Sequence, residues 1–337
     1  MSLQLFTHAQ PFPLESGSML PALDIGYHTY GTLNAAGDNV IWICHALTAN
    51  SDVADWWSGL VGAGRVLDFN KYFVVCANIP GSCYGSSGPL SKNPQTGKAY
   101  YSAFPQVSIR DIVRAHMLLR EHLGIRSIRL LAGGSMGGYQ ALEWALHEPG
   151  RIERLFLLAT GASESAWGIA IHTAQRLAIE ADNSWQDDSP SAGQKGLKAA
   201  RAIGMLTYRN YQTFVARQTD PDLDKTDHFR ASSYIEYQGE KLVKRFNAQS
   251  YWLLTKTMDS HNIARGRAAS TAAVLRTIRQ KSLILGVTSD ILCPVEEQRF
   301  LAKNMPASAY YEIDSPYGHD GFLIEFERIG KILQDWM

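Results

Sequence analysis

Apolar residues in this chain fall into two alternating patterns. Short unbroken runs occur at Asn39–Cys44 (NVIWIC), Tyr72–Ala77 (YFVVCA), Ser127–Ala132 (SIRLLA), Leu155–Ala159 (LFLLA) and Ser282–Val287 (SLILGV). Runs this short, rich in β-branched residues and closed by turn-forming residues, predict strands buried on both faces. Between them the period lengthens. Ser108–Leu123 places apolar side chains at 109, 112, 113, 117, 119 and 123, with Ser108 to cap the helix and Gly124 to end it. Further helices are predicted over Tyr139–His147, closed by Pro149 and Gly150, after Pro294, and from about Gly321 onward. Ala309–Ile313 reads as one more strand, and the loose alternation of ALDIGYHTYGTL predicts short antiparallel strands within residues 1–35. Strand, turn, helix and strand at this spacing predict a largely parallel sheet with helices on its faces.

The pattern changes between residues 165 and 275, which are helical in period, rich in Ala, Arg, Gln and Tyr, and free of strand signals. The expected organisation is therefore one α/β core in two parts, residues 1–164 and 276–337, interrupted by a helical lid over 165–275. The segment NIPGSCYGSSGPLSKNPQTG at 78–97 is long for a structureless connection and is expected to serve function.

Composition narrows the classes of function. Of 337 residues, 45% are hydrophobic and 19% charged, with 32 basic side chains against 32 acidic and no block of like charge. A nucleic-acid binder needs a basic stripe, so no nucleic-acid partner is expected. The cysteines at 44, 76, 83 and 293 form no metal-ligand spacing and no CxxC pair. They read as reduced thiols, and no metal is predicted. The first residues lack a basic stretch followed by a long apolar one, and no apolar run approaches the roughly 20 residues that cross a bilayer. A cytoplasmic protein without membrane contact is expected.

The chemistry is concentrated at Gly133-Gly-Ser135-Met-Gly137, a G-x-S-x-G between a predicted strand and a predicted helix. That context turns a common motif into a nucleophile turn: glycines let strand and helix approach, and the helix N-terminus puts the Met136 N–H beside Ser135. A serine nucleophile needs a base and the base an orienting acid, here expected after later strands in the order acid, then histidine. Asp290 follows SLILGV, and His319 follows the last strand. Asp290 also suits an Asx turn before Pro294. The loop Cys44-His-Ala-Leu-Thr48 follows an early strand and offers the Leu47 N–H as second oxyanion donor, with His45 fixing the loop.

With these motifs in place, nearly the whole chain resembles the homoserine O-acetyltransferase family of the α/β-hydrolase superfamily. The resemblance runs through CHALT at 44–48, the stretch 61–89, NPQTGKAY, GGSMGG at 133–138, ALEWA at 141–145, the lid segment 234–267, Asp290 and Gly318-His-Asp320. It implies an α/β-hydrolase fold and acetyl transfer from acetyl-CoA to L-homoserine through an acyl-serine, in methionine biosynthesis. Acetyl-CoA would be a co-substrate, with no permanently bound cofactor. It further implies Ser135 as nucleophile, His319 as base, Asp290 as orienting acid, and Leu47 and Met136 as oxyanion donors. Asp320 would bind the substrate amine, although an aspartate there also suits a helix cap. Arg209, or failing it Arg217, would bind the carboxylate. Tyr234 would line the tunnel or pack as a core aromatic, and a homodimer would form through the lid. A succinyl donor, a serine acceptor, or hydrolysis by an esterase or thioesterase would use the same three catalytic residues. The chain departs from the family's pattern at Ala49-Asn50-Ser51, beside the expected entrance for the acyl donor.

Overall fold

In a computed structural model, which describes residues 2–337, every predicted run is a strand of one sheet. Its strands are β1 (Gln4–His8), β2 (Leu23–Tyr30), β3 (Val40–Cys44), β4 (Phe73–Ala77), β5 (Ile128–Gly134), β6 (Arg154–Leu158), β7 (Lys281–Val287) and β8 (Ser308–Ile313). They lie in the order β1-β2-β4-β3-β5-β6-β7-β8. β2 pairs antiparallel with both β1 and β4, and every pairing from β4 to β8 is parallel.

The two-residue period of a strand divides the core. Val40, Trp42 and Cys44 enter the cluster on one face of the sheet, and Ile41 and Ile43 enter the other. The first face is covered by α1 (Ile109–His122) and α2 (Met136–His147) through Val113, Leu119, Leu142 and Trp144. Ser108 and Asp111 form a reciprocal capping box at the start of α1. Between β6 and β7 come α3 (Ala166–Glu180), α4 (Gln194–Tyr208), α5 (Tyr211–Gln218), α6 (Arg230–Val243) and α7 (Ala248–Asp259). These pack mainly on one another, α3 on α4 and α7, and α4 on α6. After them come α8 (Val295–Asn304), against β7 and β8, and α9 (Phe326–Trp336), which covers the second face through Ile329 and Leu333.

One expectation needs correction. The terminal helix begins at Phe326, and Gly318–Leu323 forms a 3-10 turn instead. Trp57 Nε1 donates to the Phe322 carbonyl at 3.1 Å, a group that a continuing α-helix would require for its own ladder. The first half of the segment 78–97 braces β2. Asn78 N donates to Gly26 O at 2.8 Å, Ser87 N to Asp24 O at 2.9 Å, and Gly26 N to Ser86 Oγ at 3.1 Å. All four cysteines are free, and among the described residues no helix is long and apolar enough to cross a membrane.

Candidate active site

Ser135 stands alone between the last residue of β5 and the first of α2, at φ 54° and ψ −127°. A non-glycine residue there stores about 1–3 kcal/mol of strain, so the surroundings must hold it. Ser135 N donates to Leu158 O at 3.0 Å, and Thr160 Oγ1 donates to Ser135 O at 2.8 Å. The flanking glycines are required by close approach. A Cβ on Gly137 would overlap the Cys44 carbonyl, and one on Gly133 the Gly137 carbonyl.

His319 Nε2 lies 2.9 Å from Ser135 Oγ, and its Nδ1 lies 2.7 Å from Asp290 Oδ2. The carboxylate holds the tautomer with Nδ1–H, leaving Nε2 free to accept the serine proton. The other carboxylate oxygen, Oδ1, accepts from Leu292 N at 2.8 Å and Cys293 N at 2.9 Å, so Asp290 makes its Asx turn and reaches the histidine together. Burial pushes the His319 pKa down, but the Asp290 charge and hydrogen bond outweigh it, aided by Asp320 and Glu297, and the net shift is upward. Asp290, Cys293 and His319 are also the one ligand-type cluster found among the described residues. Both Asp290 oxygens and both His319 nitrogens are already engaged, so the set does not fit a resident metal.

Met136 opens α2, and its N–H is one of the four that a helix start leaves without an internal partner. Leu47 lies on the loop after β3, beside Ser135 in a cavity of about 480 Å³. The loop is held from below, where Gln140 Nε2 donates to His45 O at 3.1 Å and the His45 ring donates to Ala46 O at 2.9 Å. Burial pushes the His45 pKa down to about 4, which keeps its ring neutral.

Asp320 sits inside the 3-10 turn and caps no helix. Its carboxylate is 2.5 Å from Arg209 Nη1, and Arg209 Nε donates to Tyr234 Oη at 3.0 Å. A cation, an anion and a phenol thus meet one residue away from His319. Arg217 is not brought into this group, because its guanidinium lies over the Tyr317 ring, 5.6 Å from the centroid. The lid reaches the histidine closely: a Cβ on Gly318 (φ 63°) would stand 2.8 Å from Tyr208 O, at the end of α4.

Comparison with known proteins agrees with this architecture. Residues 39–326 match the alpha/beta hydrolase fold family. The chain is 48% identical over 336 residues to a homoserine O-acetyltransferase of Cyclobacterium marinum, spanning 100% of this chain and 95% of that protein. The chain belongs to the homoserine O-acetyltransferase family. It also superimposes on the crystal structure of homoserine O-acetyltransferase from Bacillus anthracis with a TM-score of 0.93 at 25% identity, covering 99% of this chain and 97% of that one. Esterase E22 gives 0.89 at 22% identity, with 99% of each chain covered, and shares the fold alone.

The sequence shows no basic cluster. The fold assembles one from dispersed positions. Arg201 of α4, Lys241 of α6 and Arg245 just after α6 all line the cavity that holds Ser135 and His319. Arg245 also donates to the Thr48 carbonyl and to Tyr84 Oη, tying the inserted helices to the loop after β3. A second unforeseen group is acidic. Burial holds the Glu164 carboxyl above its ordinary value, and burial with the Glu164 and Asp290 charges raises Glu297 to about 7. No local motif marks these residues; only their burial near the triad does.

Proposed function

We propose that this protein moves the acetyl group of acetyl-CoA to the hydroxyl of L-homoserine through an acetyl-Ser135 intermediate. The observation that carries the reading is the meeting of Arg209 and Asp320 beside His319. A zwitterionic amino acid carries the complementary charges, its carboxylate for Arg209 and its ammonium for Asp320, with Tyr234 bracing the arginine. In the first half-reaction, Ser135 gives its proton to His319 Nε2 and attacks the thioester carbonyl. The Leu47 and Met136 N–H groups hold the oxyanion, the C–S bond breaks, and the CoA sulfur leaves with the proton from His319. In the second, the homoserine hydroxyl gives its proton to His319 and attacks the acetyl carbonyl. The Ser135–acyl bond breaks, and His319 returns the proton to Ser135.

Under this reading residues 165–275 act as a lid that keeps water from the acyl-enzyme, while Arg201, Lys241 and Arg245 meet the phosphates of the donor. The same segment exposes Leu206, Tyr211, Val215, Leu223, Phe229 and Tyr237, which supports a homodimer formed through it. Buried free thiols support a reducing cytoplasm.

Thiol release from acetyl-CoA tests the acceptor. The expected result is a single-equivalent burst without L-homoserine and sustained turnover with it. Equal sustained release in its absence would make the protein a hydrolase and overturn the reading.

A further inference from the structure

A second, smaller chamber opens off Ser135. It shares Leu47 and Tyr208 with the wide cavity, but His319 lines only the wide one. The tetrahedral intermediate has four substituents on carbon, and three have places already. Ser135 Oγ is one, and the oxyanion faces the Leu47 and Met136 amides. The leaving sulfur must lie near His319, which protonates it, and so occupies the wide cavity. The fourth substituent, the chain of the acyl group, is left with the chamber that His319 does not reach.

That chamber has a volume of about 30 Å³. The wide cavity, at about 480 Å³, is more than ten times larger, so the chamber takes a short acyl chain rather than a long one. Met258 of α7 and Leu292 form apolar walls, with Tyr139 and Glu164 beside them. The Glu164 carboxyl is held in place by Tyr139 Oη, which donates to Oε2 at 3.2 Å, and by Ser165 N, which donates to Oε1 at 3.0 Å. The one basic ring lining the chamber, His172, is bonded to Asp259 at 2.7 Å.

We propose that this chamber is the acyl subsite, and that its volume together with Glu164 restricts the donor to acetyl. The inference rests on the transferase reading and assigns it a determinant of specificity. A propionyl group adds a methylene that must be fitted into that small space. A succinyl group adds a carboxylate directed at the half-buried Glu164 carboxyl with no free cation to compensate.

The test compares kcat/KM for acetyl-, propionyl- and succinyl-CoA with L-homoserine. Wild type is expected to prefer acetyl over propionyl by about tenfold or more, as one crowded methylene commands. Met258→Ala and Leu292→Ala, which open separate walls, are each expected to raise the propionyl-to-acetyl ratio by about fivefold or more. Met258→Ala with Glu164→Gln is expected to accept succinyl-CoA where Met258→Ala alone does not. Thermal melts identify folded variants. Wild type using propionyl as well as acetyl overturns the proposal, as do folded variants with unmoved ratios. Acetyl turnover by wild type separates the two readings: its absence defeats the transferase itself, whereas its presence with unmoved ratios defeats only the chamber.

Discussion

Ser135, Leu47 and Asp290 stand within three residues of the ends of β5, β3 and β7, whereas Arg209, Tyr234, Lys241 and Arg245 come from the helices inserted between β6 and β7 and the joints between them. The first group inherits its positions from parallel ladders of backbone hydrogen bonds, which tolerate little displacement. The second is held by side-chain pairings such as Arg209–Asp320 and Lys198–Glu240 across the helices. A site built this way divides its labour. Under the proposed function, the sheet side performs the chemistry common to both half-reactions, and the helical side selects what enters.

The largest expected effect lies on the sheet side. Ser135→Ala removes the attacking oxygen, and both half-reactions should fall by about 10⁴-fold or more while the fold is retained. Stopped-flow thiol release measures the first half-reaction and ester formation the second. Loss of only one of them would break the division. Next come the paired charges beside His319, Arg209 from the inserted helices and Asp320 from the turn after β8. Arg209→Ala and Asp320→Asn should each raise the KM for the amino-acid acceptor by about 10- to 100-fold, the scale of a lost charge-assisted hydrogen bond. The acetylation burst should survive in both. A burst abolished in Arg209→Ala would mean that the helical side takes part in the chemistry itself.

The same division explains what could be read from the residues alone. The strand ends carry local signals, because NVIWIC and GGSMGG state burial, turn and helix start within a few neighbouring positions. The order of Asp290 and His319 follows from the same strand-by-strand logic. Pairings across the lid have no such signature. Arg209 and Asp320 are 111 residues apart, and Arg245 meets Thr48 across 197. Periodicity places a helix but does not orient it against its neighbours, so Arg217 stays a fallback to Arg209 until the packing turns it onto Tyr317. Glu164 and Glu297 were invisible for a related reason: a carboxylate in a polar-looking stretch reads as solvated until the fold buries it. The terminal helix begins later than the residue pattern predicts because its boundary depends on a hydrogen bond from Trp57, 265 residues before Phe322.

The smallest expected effect concerns one of those buried carboxylates, on the sheet side but outside the triad. As the proposed base, His319 must be neutral at Nε2 to take the Ser135 proton, so acylation should rise with pH as that ring loses its proton. Against the downward push of burial, the Asp290 charge holds the ring's pKa above its ordinary value, with Asp320 and Glu297 contributing. Glu297 itself, raised to about 7, becomes negative across the same range and opposes the loss of the histidine proton. Glu297→Gln removes that charge and keeps a similar shape. The acid limb of the single-turnover acylation rate should therefore move to lower pH, with the plateau rate within about twofold of wild type. Superimposable limbs would show that Glu297 is electrically silent toward His319. A shifted limb would extend the sheet-side machinery by one residue, on the first turn of α8, that touches neither substrate nor triad.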